Sequence, residues 1–322
     1  VGAFGLPDWQ AVAAQGDWPA LLAGNGASRA VSGAFDYKSL LVAAGLGEND
    51  QALFDQLGTS NFEEVLRALD FAVLVQQQLG HNPAPVLDRR LAIQNALVAT
   101  VNNHHVAWTD VEGDRLAAIK AALLSYKSVF STSYDLIFYW AVNQGGPAGF
   151  LDHLWHDADL HFDPNDSPVW GEPTVVHWIH GALHLYEFGI GQTAKRVNLP
   201  DAALLAQFAS GGKLPLYVAE GTAQQKRAKI ASSEYLAFCL NSLEAETRDL
   251  VIFGQALSDS DLHLVEALKL HPERRIAYAI YPVDQLQVDA DRSKVAQVIG
   301  RDDIQFFDSK THPLGDPGLF VA

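Results

Sequence analysis

The spacing of apolar residues changes along the chain, and the changes predict its elements. Gln10 to Leu22 is apolar and Trp-rich, with Trp18, Leu21 and Leu22, and runs straight into Gly24-Asn25-Gly26-Ala27-Ser28. A short hydrophobic run ending in alternating glycines predicts a strand entering a tight loop, with a helix to follow. From about Tyr37 to Tyr126 the spacing is helical. Phe62, Val65, Leu66, Leu69 and Val73 fall at i, i+3, i+4, i+7 and i+11, one apolar face. Pro85 to Val106 and Asp114 to Tyr126 follow the same pattern. Short β-rich runs then return: Ser128 to Thr132, Val175 to Ile179, Leu216-Tyr217-Val218, Leu250 to Phe253, Ile276 to Ile280 and Ile304 to Phe307. Helical stretches such as Thr222 to Ile230, Ser233 to Leu243, Ser260 to Leu268 and Asp291 to Val298 separate several of them. Continuous apolar strands alternating with helices predict an α/β fold whose parallel sheet of about six strands is covered on both faces. The expected organisation is one α/β domain from residues 1–37 and 128–322, with a helical subdomain, 38–127, inserted after the first strand.

Composition narrows the function. In 322 residues, 22 Lys and Arg stand against 38 Asp and Glu, a net charge of −16 that repels phosphate backbones and argues against a nucleic-acid partner. No apolar run reaches the length of a membrane span, and the first residues lack the basic and apolar regions of a secretory leader. The single cysteine, Cys239, forbids an internal disulfide or a Cys-based zinc cage and predicts a cytoplasmic protein. Methionine is absent altogether, although a chain of this size ordinarily carries several.

Four segments carry candidate chemistry. In Gly24-Asn25-Gly26-Ala27-Ser28, glycines let backbone approach a phosphate while the following helix aims its N–H groups and dipole at the anion, helped by Arg29. A tight β-to-α turn accounts for the same glycines. Ser131-Thr132-Ser133-Tyr134-Asp135 sits at a strand's carboxyl end, where open α/β sheets bind ligands, or Ser133 and Asp135 merely cap the next helix. In His177-Trp178-Ile179-His180-Gly181, His180 is placed for a general base or a ribose contact, with His177 on a sheet face and His184 extending a following strand. Phe253-Gly254-Gln255-Ala256-Leu257-Ser258-Asp259-Ser260-Asp261 ends a strand and caps a helix. His153, His156, Asp157, Asp159, His161 and Asp163 have the composition of metal ligands but no metal-site spacing, so no metal is expected. Asn102-Asn103-His104-His105 reads as polar surface.

Taken in order, Gly24-Asn25-Gly26-Ala27-Ser28, Thr132-Ser133-Tyr134-Asp135, His180-Gly181 and Gly254 to Asp261 resemble the sirtuin-like superfamily, in particular bacterial sirtuin-like proteins. The similarity extends to Phe35-Asp36-Tyr37 and Ala219-Glu220-Gly221-Thr222. The resemblance implies a Rossmann-like fold binding NAD or ADP-ribose at the carboxyl edge of the sheet. Gly24, Asn25, Gly26, Ser28 and Arg29 would face the pyrophosphate, with Thr132, Ser133, Asp135 and His180 at the nicotinamide ribose. Gly254 and Ser258 would lie on the adenosine side. There are departures. One cysteine cannot build a deacetylase's four-cysteine zinc module, Ser133 replaces an Asn tied to NAD cleavage, and Ala256 replaces a serine. Two expectations follow: an NAD glycohydrolase using His180, Asp135 and Ser133, or a non-catalytic nucleotide sensor or protein-interaction module. Self-association is left open. A valine at Gly26 is expected to abolish ligand binding in a chain that still folds.

Overall fold

The structure, a computed structural model, describes residues 2–35, 40–60, 62–155, 158–167, 171–196, 215–218 and 222–321. Its strands are β1 (Ala20–Ala23), β2 (Ser128–Ser131), β3 (Phe150–Leu151), β4 (Thr174–Trp178), β5 (Gly181–Phe188), β6 (Gln192–Lys195), β7 (Pro215–Tyr217), β8 (Leu250–Phe253), β9 (Ile276–Ile280) and β10 (Gln305–Asp308). Seven of them form one sheet in the order β3-β4-β2-β1-β8-β9-β10, and every pairing in it is parallel. All four residues of β1, β2 and β8 are buried. Successive strand residues face opposite sides, so both faces are covered, which is why these runs are continuously apolar. The expected α/β class therefore holds, with seven parallel strands instead of six.

The helices are α1 (Trp9–Ala13), α2 (Gly26–Arg29), α3 (Leu40–Ala43), α4 (Glu48–Leu57), α5 (Phe62–Gln78), α6 (Ala84–His104), α7 (Trp108–Val111), α8 (Asp114–Leu123), α9 (Ile137–Asn143), α10 (Ala223–Ala231), α11 (Glu234–Glu244), α12 (Leu262–Lys269) and α13 (Gln285–Ile299). The stretch between β1 and β2 is thus built from α2 to α8. Phe62, Val65, Leu66 and Leu69 of α5 all reach the core, as their spacing requires. Local chemistry sets other boundaries. Thr222 and Gln225 form a capping box at the start of α10, while Asp284 accepts from Gln287 N–H to open α13, which Gly300 closes in a left-handed conformation.

Two runs differ from expectation. Leu216 and Tyr217 belong to a second, three-stranded sheet, β6-β5-β7, in which β5 pairs antiparallel with both neighbours. An apolar run does not by itself name its partner strand. Gln10 to Leu22 is not one extended run either, because the single-turn α1 precedes β1, and five residues are too few to display a helical period. The small sheet is fastened to the large one by a buried ion pair. Lys195 of β6 donates to both carboxylate oxygens of Asp152, at 2.9 and 2.8 Å, and its ammonium lies over the Trp155 ring.

Candidate functional site

Starting from β1, the chain extends the sheet through β2 to one side and through β8 to the other. A reversal of this kind leaves a crevice outside the carboxyl ends of the two central strands, where ligands of open α/β sheets bind. The glycine loop follows β1 at that edge, Thr132 to Asp135 follow β2, His180 follows β4, and Gly254 to Asp261 follow β8. All four sequence segments converge there.

They join in hydrogen-bonded clusters. Asp135 is buried and accepts from Ser28 Oγ at 2.5 Å and from Ser133 Oγ; its other oxygen accepts the Ile137 N–H at 2.9 Å, opening α9. Ser28 and Ser133 are themselves within 3.4 Å. Thr132 Oγ1 donates to Gln255 Oε1 at 2.5 Å, and the Gln255 amide donates to Asp261 at 3.2 Å. Asp261 also accepts from Ser258 Oγ and from Lys226 Nζ, each at 2.8 Å. Beside it, the Nε2 atoms of His180 and His263 lie 2.7 Å apart. With both rings neutral, one Nε2 donates and the other accepts, and a hydrogen bond to the Thr132 backbone works against the lowering of His180. Burial, then the neighbouring His263 and Lys226, pushes His180 down to about 3 against the opposing pull of Asp261. Burial likewise lowers His263 to about 4. Burial acts to raise the Asp261 carboxyl, but Lys226, with its charge and hydrogen bond, and then His180 and Ser258 outweigh it, so the net shift is downward.

Asp135, Ser133, Ser28, His180, His263, Gln255 and Asp261 make a buried polar floor, and Thr132, Tyr134, Gly254 and Ser258 form a partly exposed rim. Asn25 is exposed, with its amide bonded to the Phe35 carbonyl, and Arg29 points to the surface. The expected partners Asp36, Tyr37 and 219–221 lie outside the described residues.

The glycine loop departs from its expected geometry. Gly24 N–H donates to the Phe253 carbonyl, Gly26 N–H to the Gly254 carbonyl and Ala27 N–H to the Gly24 carbonyl. The helix behind the loop, α2, is a single turn. A Cβ on Gly26 would lie 2.5 Å from Gly254 Cα, and one on Gly24 would lie 2.5 Å from the Gly254 carbonyl oxygen. The glycines thus serve the approach of two loops, and three N–H groups a diphosphate would need are spent on the protein itself. In this conformation the loop does not fit a diphosphate. The polar floor, with a carboxylate, hydroxyls and imidazoles, has the donors and acceptors that suit ribose hydroxyls. It also follows that a valine at Gly26 strikes backbone and disturbs the fold, so it cannot act on ligand alone.

The sequence does not single out His263 or Lys226, and Gln255 enters it only as a member of the Gly254 to Asp261 segment. The available signal was Asp261 and His263, two polar residues at a helix start just beyond a strand's carboxyl end. His105 was misplaced as polar surface: its Nε2 accepts the Leu136 N–H at 2.9 Å, and its ring packs edge-on against Phe35 and Trp140. The side chains of Asn102 and His104 lie outside the described ones. His177 lies on a sheet face, stacked on Phe130, and His184 lies in β5, as expected. In the acidic, histidine-rich stretch, His153 stacks near His177 and Asp163 accepts from Asn165 N–H; His156 and Asp157 lie outside the described residues. Among the described residues no three His, Cys, Asp or Glu side chains gather as metal ligands, and no helix is long and apolar enough to cross a membrane.

No curated protein matches the chain. A family described as a domain of unknown function (DUF4917) matches residues 21–314, the span that contains all of the sheet but Ala20 and every residue of the polar floor, and the chain belongs to that family.

Proposed function

We propose that this chain binds the ribose of a nucleotide such as NAD or ADP-ribose on the polar floor at the carboxyl edge of its sheet, with the diphosphate lying outside the glycine loop, and that it holds the ligand without cleaving it. The observation that carries this reading is the convergence of four distant segments on one polar floor at the reversal point of the sheet. Asp135 would accept from ribose hydroxyls in place of Ser28 and Ser133, and His180 would exchange its bond with His263 for one to the ligand. Binding is favoured over hydrolysis by His180 itself. An imidazole lowered to about 3 and bonded to a second imidazole is a weak base at neutral pH, far from the value that suits proton abstraction. Ser133, standing where the sirtuin-like pattern has Asn, points the same way.

Titration calorimetry with NAD and ADP-ribose tests the reading on the native chain and on Asp135→Asn. Saturable binding is expected, weakened at least ~10-fold by the substitution, equivalent to about 1.4 kcal/mol. No heat from the native chain, or an unchanged Kd in a folded Asp135→Asn chain, would contradict it. Release of nicotinamide from NAD would return the hydrolase reading to first place.

A further inference from the structure

A different surface carries an inference of its own. α5 turns Phe62, Val65, Leu66 and Leu69 into the core, and α6 turns Ile93 and Leu97 inward. On the opposite sides of both helices stand Phe71, Leu74, Val75, Leu79, Leu87 and Leu91, each between 43% and 65% exposed. At helical spacing Phe71, Leu74 and Val75 share one face, and so do Leu87 and Leu91. Arg90 of α6 pairs with Asp70 of α5 and fixes the register, bringing Phe71 and Leu74 level with Leu91 and Leu87. The result is one outward apolar face on a helical hairpin.

We infer that this face joins two copies of the chain about a two-fold axis, the hairpins packing as a four-helix bundle. Its exposed apolar area is on the order of 600 Å², at the upper end of what a monomer carries. With a modest rim it reaches the ~800 Å² per partner of a standard interface. The arginines of the two helices are paired within the chain, Arg90 with Asp70, Arg89 with Asp50 and Arg67 with Glu187, which leaves the exposed carboxylates of Glu64 and Asp88 at the rim of the face. Two copies, each of net charge −16, repel at long range, so their contact has to be made by apolar surface such as the centre of this face. A self-complementary apolar patch meets its own copy under two-fold symmetry. A lipid surface fits less well, since residues 62–104 contain no lysine and their arginines are spent in those pairs.

Sedimentation velocity at micromolar concentration tests the inference on the full chain. The native protein is expected at twice 35.0 kDa with a Tm that rises with concentration, and Leu74→Glu/Leu87→Glu at 35.0 kDa with an unchanged circular dichroism spectrum and a concentration-independent Tm. Val75→Lys alone should also dissociate it, as an independent check. Ile190→Glu, at the 99% exposed tip of the β5–β6 turn, should leave the dimer intact. A native chain at the single mass, a dimer that survives the α5–α6 substitutions, or one that dissociates with Ile190→Glu would overturn the inference. The single-mass result would also exclude a second copy in favour of some other occupant.

Discussion

Histidine burial makes individual residues of this protein acid-sensitive. His177, His180 and His312 are lowered by burial to about 3, and His263 to about 4, from 6.5. In the unfolded chain each takes up its proton near pH 6.5, while in the folded chain each stays neutral down to the lowered value. Between those limits the unfolded state binds more protons, so stability is fully present above pH 6.5 and is lost as pH falls towards 4. The slope approaches ~1.4 kcal/mol per pH unit for each such histidine. His177 isolates the effect, because its ring stacks flat on Phe130 and its Nδ1 has no hydrogen-bond partner. His177→Phe should therefore flatten the fall in Tm between pH 7 and pH 5 without lowering Tm at pH 7. An unchanged slope would contradict the buried, neutral state of that ring.

Loops between elements, more than the elements themselves, set the local glycine requirements. Gly254 has φ +67°, and a Cβ there would meet Ala27 N at 2.6 Å and Gly26 Cα at 2.7 Å. Gly254→Ala should cost roughly 1–3 kcal/mol in urea unfolding, from left-handed strain and the displaced loop together. Gly33→Ala, where nothing lies within 4 Å, should stay within about 0.5 kcal/mol of the native chain. Equal effects at the two positions would show that the two-loop contact does not hold. The same loops mark how far the sequence is legible. Hydrophobic spacing shows α5, α6 and the central strands, because burial on one face or on both leaves a periodic record. Alternating glycines show that backbone passes close to something at residues 24–26, but not that the neighbour is Gly254. His263, Gln255 and Lys226 stay illegible because their partners lie far off in sequence. β3 is only two residues long, and β6, Gln192 to Lys195, is too polar to show as an apolar run.

The whole molecule brings these parts into one arrangement: a sheet that reverses direction beside a polar floor, in a chain too acidic to attract an anion by its overall field. On the proposed nucleotide reading, recognition at that floor comes from local hydrogen bonds, and the His180–His263 bond is one that the ligand exchanges. Nitrogen-15 NMR of the imidazole rings during titration with ADP-ribose tests this directly, on the native chain and without any substitution at the site. The ring nitrogens of His180 and His263 should shift together and saturably, while His312, buried elsewhere against Tyr126, stays fixed. Unmoved His180 and His263 signals at millimolar ADP-ribose, or an equal shift of His312, would contradict a nucleotide site on this floor.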